Sequence, residues 1–107
     1  MKLLTNELLA RFKEVGSQEN NPDPLIIAKF FNPVGAGNWL ASEYDPESRI
    51  FFGYVSIFNE EGMNEWGSFS LDELESFKDE RFGLGIERAR YWNEEPISKV
   101  KERFGIV

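Results

Sequence analysis

The chain has 107 residues, 19 acidic against 12 basic, a formal charge of −7, and neither cysteine nor histidine. Those absences exclude disulfides, thiolate zinc sites, thiol nucleophiles and imidazole as general base or metal ligand. The charge opposes non-specific binding to nucleic acid or anionic membrane, because its long-range field repels phosphate, and it suits docking onto a basic partner surface.

An apolar content of 41%, with ten Phe and three Trp, is well above that of a disordered chain. The length fits one domain, residues 1–107, able to bury a core without staples. No window approaches the ~20 apolar residues of a membrane span. The opening stretch MKLLTNELLARFKEV lacks the continuous apolar centre of a signal peptide, so the expected location is cytoplasmic.

In chain order, the spacing predicts a first helix over Asn6 to Val15. Thr5 is its N-cap, Leu8, Leu9, Phe12 and Val15 form its apolar stripe, and Gly16 closes it. Ser17 to Pro24 is polar with two prolines and reads as a loop. Leu25 to Phe31 reads as a strand whose single charge, Lys29, must snorkel outward or meet an acid on a neighbouring strand. A glycine-containing loop leads to a strand over Asn38 to Tyr44, closed by the turn Asp45-Pro46-Glu47-Ser48 with Pro at its second position.

Ile50 to Phe58, IFFGYVSIF, has only Gly53 and Ser56 outside the apolar and aromatic classes. It therefore reads as an interior strand buried on both faces. Asn59-Glu60-Glu61-Gly62 begins the connection to a short strand over Glu65 to Phe69. Symmetric hairpins put Trp39 opposite Val55, Ala41 opposite Gly53 and Trp66 beside Ile57. One face then carries Trp39, Ala41, Phe51, Val55, Ile57 and Trp66; the other carries Leu40, Tyr44, Phe52, Tyr54, Phe58 and Phe69.

Ser70-Leu71-Asp72-Glu73 matches a capping box and predicts a helix over Leu71 to Lys78. Ile86 to Trp92 alternates as a fifth strand or extended edge segment. Glu94-Glu95-Pro96 opens a last helix with Pro at its first helical position, ending at Phe104 before Gly105. These elements define an α+β fold. Its sheet is an antiparallel meander of four to five strands, with three short helices packed mainly on one face.

The blocks Glu43-Tyr44-Asp45-Pro46-Glu47, Phe51-Phe52-Gly53, Phe69-Ser70-Leu71-x-Glu73-Leu74 and Glu87-Arg88 resemble those of a bacterial family, domain of unknown function twenty-nine fifty-eight. The resemblance runs from the N-terminal MKLLTNELLARF to EEPIS near the C-terminus. It implies an accessory protein of plasmids, phages or other mobile elements, beside replication, transfer or anti-restriction functions, and it implies no activity. The chain departs from the family pattern at Ala89, where members often carry an acid, and at Ser68, where they often carry an aromatic.

Four constellations could carry chemistry. Glu43, Asp45 and Glu47 place three carboxylates at a strand end, as oxygen ligands for Ca²⁺ or Mg²⁺ or as an acid/base pair; the alternative is turn chemistry with Lys29 or Arg49 as partner. Arg81, Arg88 and Arg90 could contact phosphate, or pair with the acids of the preceding helix. Asp72, Glu73, Glu75, Asp79 and Glu80 could imitate DNA phosphates, or form a solvated helix face. Trp39, Tyr44, Trp66 and Trp92 could supply an aromatic anchor surface, or fill core.

The leading expectation is a non-enzymatic protein-binding module with no cofactor. Its interface lies on the Trp39–Trp66 face, with Tyr44 and Arg88 as further candidate residues and acids at the rim. The alternative is an enzyme or small-ligand binder with a metal-dependent carboxylate site at the sheet end, built on Glu43, Asp45 and Glu47 with Arg88 in the same pocket.

Overall fold

A computed structural model describes residues 2–57 and 64–106. Helix α1, Asn6–Val15, starts where Thr5 accepts the Leu8 amide on its hydroxyl (3.1 Å) and stops at Gly16, whose positive φ ends the turn. The first expected strand is two: β1, Leu25–Ile26, and β2, Ala28–Phe31, separated at Ile27. Then follow β3, Asn38–Asp45, β4, Ile50–Ser56, and β5, Asn64–Ser70. Helix α2, Leu71–Ser76, begins at the Ser70 hydroxyl, which accepts the Glu73 amide at 3.2 Å. Two-residue strands β6, Glu87–Arg88, and β7, Glu95–Pro96, precede α3, Ile97–Phe104. The expected strand over Ile86 to Trp92 is thus confined to two residues. Phe58 and the Asn59–Gly62 connection lie outside the described residues.

The main sheet is antiparallel in the order β5-β4-β3-β2-β6, a meander whose last strand returns to the opposite edge; β1 and β7 form a separate pair. The fold is therefore α+β, and β4 is an interior strand as its composition requires. Helices α1 and α2 cover one face, where Leu3, Phe12, Phe30, Phe51, Phe69, Leu71 and Leu74 share a core. Phe51 is its hub, with ring centroids 4.6 to 5.7 Å from Tyr44, Phe30, Phe69 and Phe12. Helix α3 packs on the other face, burying Ile97, Val100 and Ile106 with Ile26, Leu40 and Tyr54.

Helix α3 starts at Ile97, one residue later than expected, with Pro96 at the N-cap in place of the first helical position. Glu95 and Pro96 are drawn into pairing with Ile26 and Leu25, and the Ile97 amide donates to the Pro24 carbonyl. Pro96 supplies no side-chain cap. Asp23 does so from a distant loop, accepting the Ser98 amide at 2.9 Å and its hydroxyl at 2.5 Å. Among the described residues no helix is long and apolar enough to cross a membrane.

Candidate functional site

The register of the β3–β4 hairpin begins as expected, with Trp39 opposite Val55 and Ala41 opposite Gly53. It then shifts by one residue, so that Glu43 faces Phe52 and Tyr44 faces Phe51. Ser42 is the extra residue of this bulge, 1% exposed, and its hydroxyl donates to the Phe52 carbonyl at 3.1 Å. Because side chains alternate, one inserted residue moves everything beyond it to the opposite face. Tyr44 therefore joins Phe12 and Phe51 in the α1 core instead of the face with Phe52, and burial pushes its hydroxyl up from the ordinary tyrosine range.

Across the next ladder Trp66 pairs with Tyr54 and Phe69 with Phe51. Trp66 is thus not beside Ile57, and Phe69 is not on the Phe52 face. The expected common surface of Trp39 and Trp66 does not exist: Trp39 packs against the α1 core, whereas Trp66 lies on the α3 side. The pairing differs from the expected one by an odd number of residues, and an odd displacement inverts every side chain.

Trp66 instead stacks on Phe52, with centroids 6.0 Å apart and planes 12° from parallel, while Tyr54 meets it edge-on at 5.4 Å. Phe52 is 41% and Trp66 39% exposed. Helix α3 stops short of them, and they border a groove of about 540 Å³ shared with Ser42, Glu43 and the loop after α1. That loop is fixed by Gln18, which is 8% exposed. Its amide donates to the Leu25 and Ser42 carbonyls, each at 2.8 Å, and its carbonyl accepts the Leu25 amide at 2.6 Å. Glu43 lies on the row of Phe52, and Glu19 also lines the groove.

The same aromatic pair adjoins an open sheet edge, since β5 ends the strand order. The Leu71 amide donates to the Arg49 carbonyl, which makes 71 and 49 a directly bonded pair. In an antiparallel ladder bonded and non-bonded pairs alternate. Residues 65, 67 and 69 therefore bond to β4, whereas Trp66 and Ser68 turn their backbone N–H and C=O outward. Glu65 is the strand's single charge, and it holds neither Lys nor Pro, the residues that commonly blunt an edge.

Of the other expected residues, several hold neighbouring backbone or side chains. Asp45 accepts the Ser48 hydroxyl at 2.9 Å and then the Glu47 amide at 3.0 Å, which hold its carboxyl below the ordinary range. Glu43 points to the groove side of the sheet and Glu47 is exposed on the turn. Among the described residues no three acids are gathered so as to hold a metal ion. Arg88 donates to the Lys2 and Leu3 carbonyls. Arg49 pairs with Asp72 at 2.8 Å, and Arg81 lies over the Phe82 ring at 5.4 Å. Trp92 donates to the Ile26 carbonyl at 2.9 Å and stacks on Phe104. Sequence reasoning missed Phe52 and Gln18. For Phe52 a signal existed, namely its neighbour Phe51 filling the opposite face.

An antiparallel sheet capped by helices on both faces, with one aromatic pair left beside an open edge, defines a small α+β domain. The chain belongs to the family described as protein of unknown function (DUF2958), whose model matches residues 3–103. No curated protein and no solved structure matches it.

Proposed function

We propose that the chain is a non-enzymatic protein-binding module that receives an extended, basic segment of a partner protein along the outer edge of β5. The observation that carries this reading is Trp66, half-exposed and stacked on Phe52, on an edge strand whose backbone groups at 66 and 68 face outward. An added strand gains main-chain hydrogen bonds and presents alternate side chains to one face. On the Trp66 face an Arg or Lys gains cation–π attraction, with Glu43 and Glu19 at the rim. The net charge of −7 draws a basic segment and repels an acidic one. An accessory role on a bacterial mobile element, which the family resemblance implies, suits such a module.

The test is a fluorescence-anisotropy titration with a short labelled peptide of alternating Arg and Val. The expected result is saturable binding that Trp66→Ala weakens about tenfold or more, equivalent to ~1.4 kcal/mol. Ser68→Pro, which removes an outward N–H and leaves the β4 ladder intact, should do the same. Trp39→Phe, on the opposite face, should bind as the wild type does. Undiminished binding by Ser68→Pro would overturn strand addition, and undiminished binding by Trp66→Ala would overturn the aromatic contact.

A further inference from the structure

A second cleft, of about 260 Å³, opens on the α3 side of the sheet, and it shares no lining residue with the Phe52–Trp66 groove. The register explains its walls. Lys29 faces Leu40, and the adjoining row runs Phe31, Asn38, Ser56, so these side chains share one face. The Asn32–Gly37 loop closes one side, and Phe104 and Ile106 at the end of α3 close the other.

Among the described residues, two polar groups here are left without ordinary partners. Ser56 is 1% exposed, yet its hydroxyl has no hydrogen-bond partner among the described residues. Buried hydroxyls are nearly always satisfied, because leaving one unmet forfeits its hydration for nothing. The ammonium of Lys29 sits 3.8 Å from the Phe104 centroid and 5.8 Å from that of Phe31. Among the described residues it forms no ion pair; Glu87, which faces Phe31 across the β2–β6 ladder, does not reach it. Of the two sequence expectations for Lys29, an acid on a neighbouring strand is not met among the described residues; its side chain is half-buried. Burial pulls its ammonium below the ordinary lysine range. Aromatic faces attract the cation but leave its N–H donors available.

We propose that this cleft binds a small organic carboxylate, its oxygens on Lys29 Nζ and Ser56 Oγ and its hydrocarbon part against Phe31, Phe104 and Ile106. A monoanion matches the single cation. A hydroxyl beside an ammonium supplies the second donor a carboxylate accepts. The apolar walls favour an acid with a hydrocarbon body over inorganic phosphate, which would lose its hydration without compensation.

The experiment is a ¹⁵N–¹H NMR titration with benzoate, with benzamide and inorganic phosphate as controls, on the whole chain. Benzoate should shift the amides of Asn38, Ser56 and Ile57 saturably, and the lysine ε-methylene signal of Lys29 should titrate at higher pH when benzoate is bound. Lys29→Met should weaken binding at least about tenfold, and Ser56→Ala several-fold, both with a dispersed, folded spectrum; benzamide and phosphate should leave these amides unmoved. Benzoate shifts that persist unchanged in Lys29→Met, equal shifts with benzamide, or no saturable shift in the wild type would each overturn the assignment.

Discussion

Arg88 Nη1 donates to the carbonyl oxygens of Lys2, at 2.8 Å, and of Leu3, at 3.1 Å, fastening β6 to the N-terminal segment across 85 residues of chain. Leu3 is fully buried, and its own amide donates to Glu75 at 3.1 Å. An arginine with the look of a binding residue therefore serves as a clamp. It satisfies backbone groups that no strand or helix supplies with partners.

Arg88→Met should cost about 1–2 kcal/mol in urea unfolding, as expected for hydrogen bonds from a charged group to one exposed and one part-buried carbonyl. The backbone amide of Leu3 should exchange faster with solvent, because its segment is released at one side. Unaltered exchange at Leu3 would show that packing alone seats the N-terminus.

Gly53 sits at the closest approach of β3 and β4, where an added Cβ would lie 1.9 Å from the Leu40 carbonyl oxygen. That oxygen belongs to the backbone and cannot swing aside. Gly53→Ala should destabilise the protein by about 3 kcal/mol or more. Gly67 pairs with Gly53 on the edge strand, and a Cβ there meets nothing within 4 Å. Gly67→Ala should change stability by less than about 1 kcal/mol. Thermal unfolding of the two variants side by side checks the contrast.

The Asp23 carboxyl is held below the ordinary range by the Ser98 hydroxyl and then by the Ser98 amide. Its folded pKa is lower than the unfolded value of about 3.9. The stability it contributes is therefore complete above that value and is lost as pH falls through the folded one. Wild-type urea midpoints should fall on acidification below about pH 4, and Asp23→Ala should show a lower midpoint at neutral pH with a shallower acid decline. An acid decline equally steep in both proteins would remove Asp23 from the account.

The amino-acid sequence by itself determined what depends on neighbours in the chain. Thr5 and Ser70 cap α1 and α2 as their spacing requires, Gly16 ends the first helix, and the hydrophobic run from Ile50 forms an interior strand. The opening register of the β3–β4 hairpin follows from the same local rules. The tertiary structure alone decided the faces. A single extra residue at Ser42 transferred Tyr44 to the α1 core, and the β4–β5 register separated Trp66 from Trp39 and set it on Phe52. It also decided that Asp23 caps a helix 75 residues away and that Lys29 meets Phe104 in place of an acid. The physical reason is one of range. Caps and turns are settled within a few residues, whereas a period of two is inverted by one inserted residue, and partners brought together by folding leave no spacing to read.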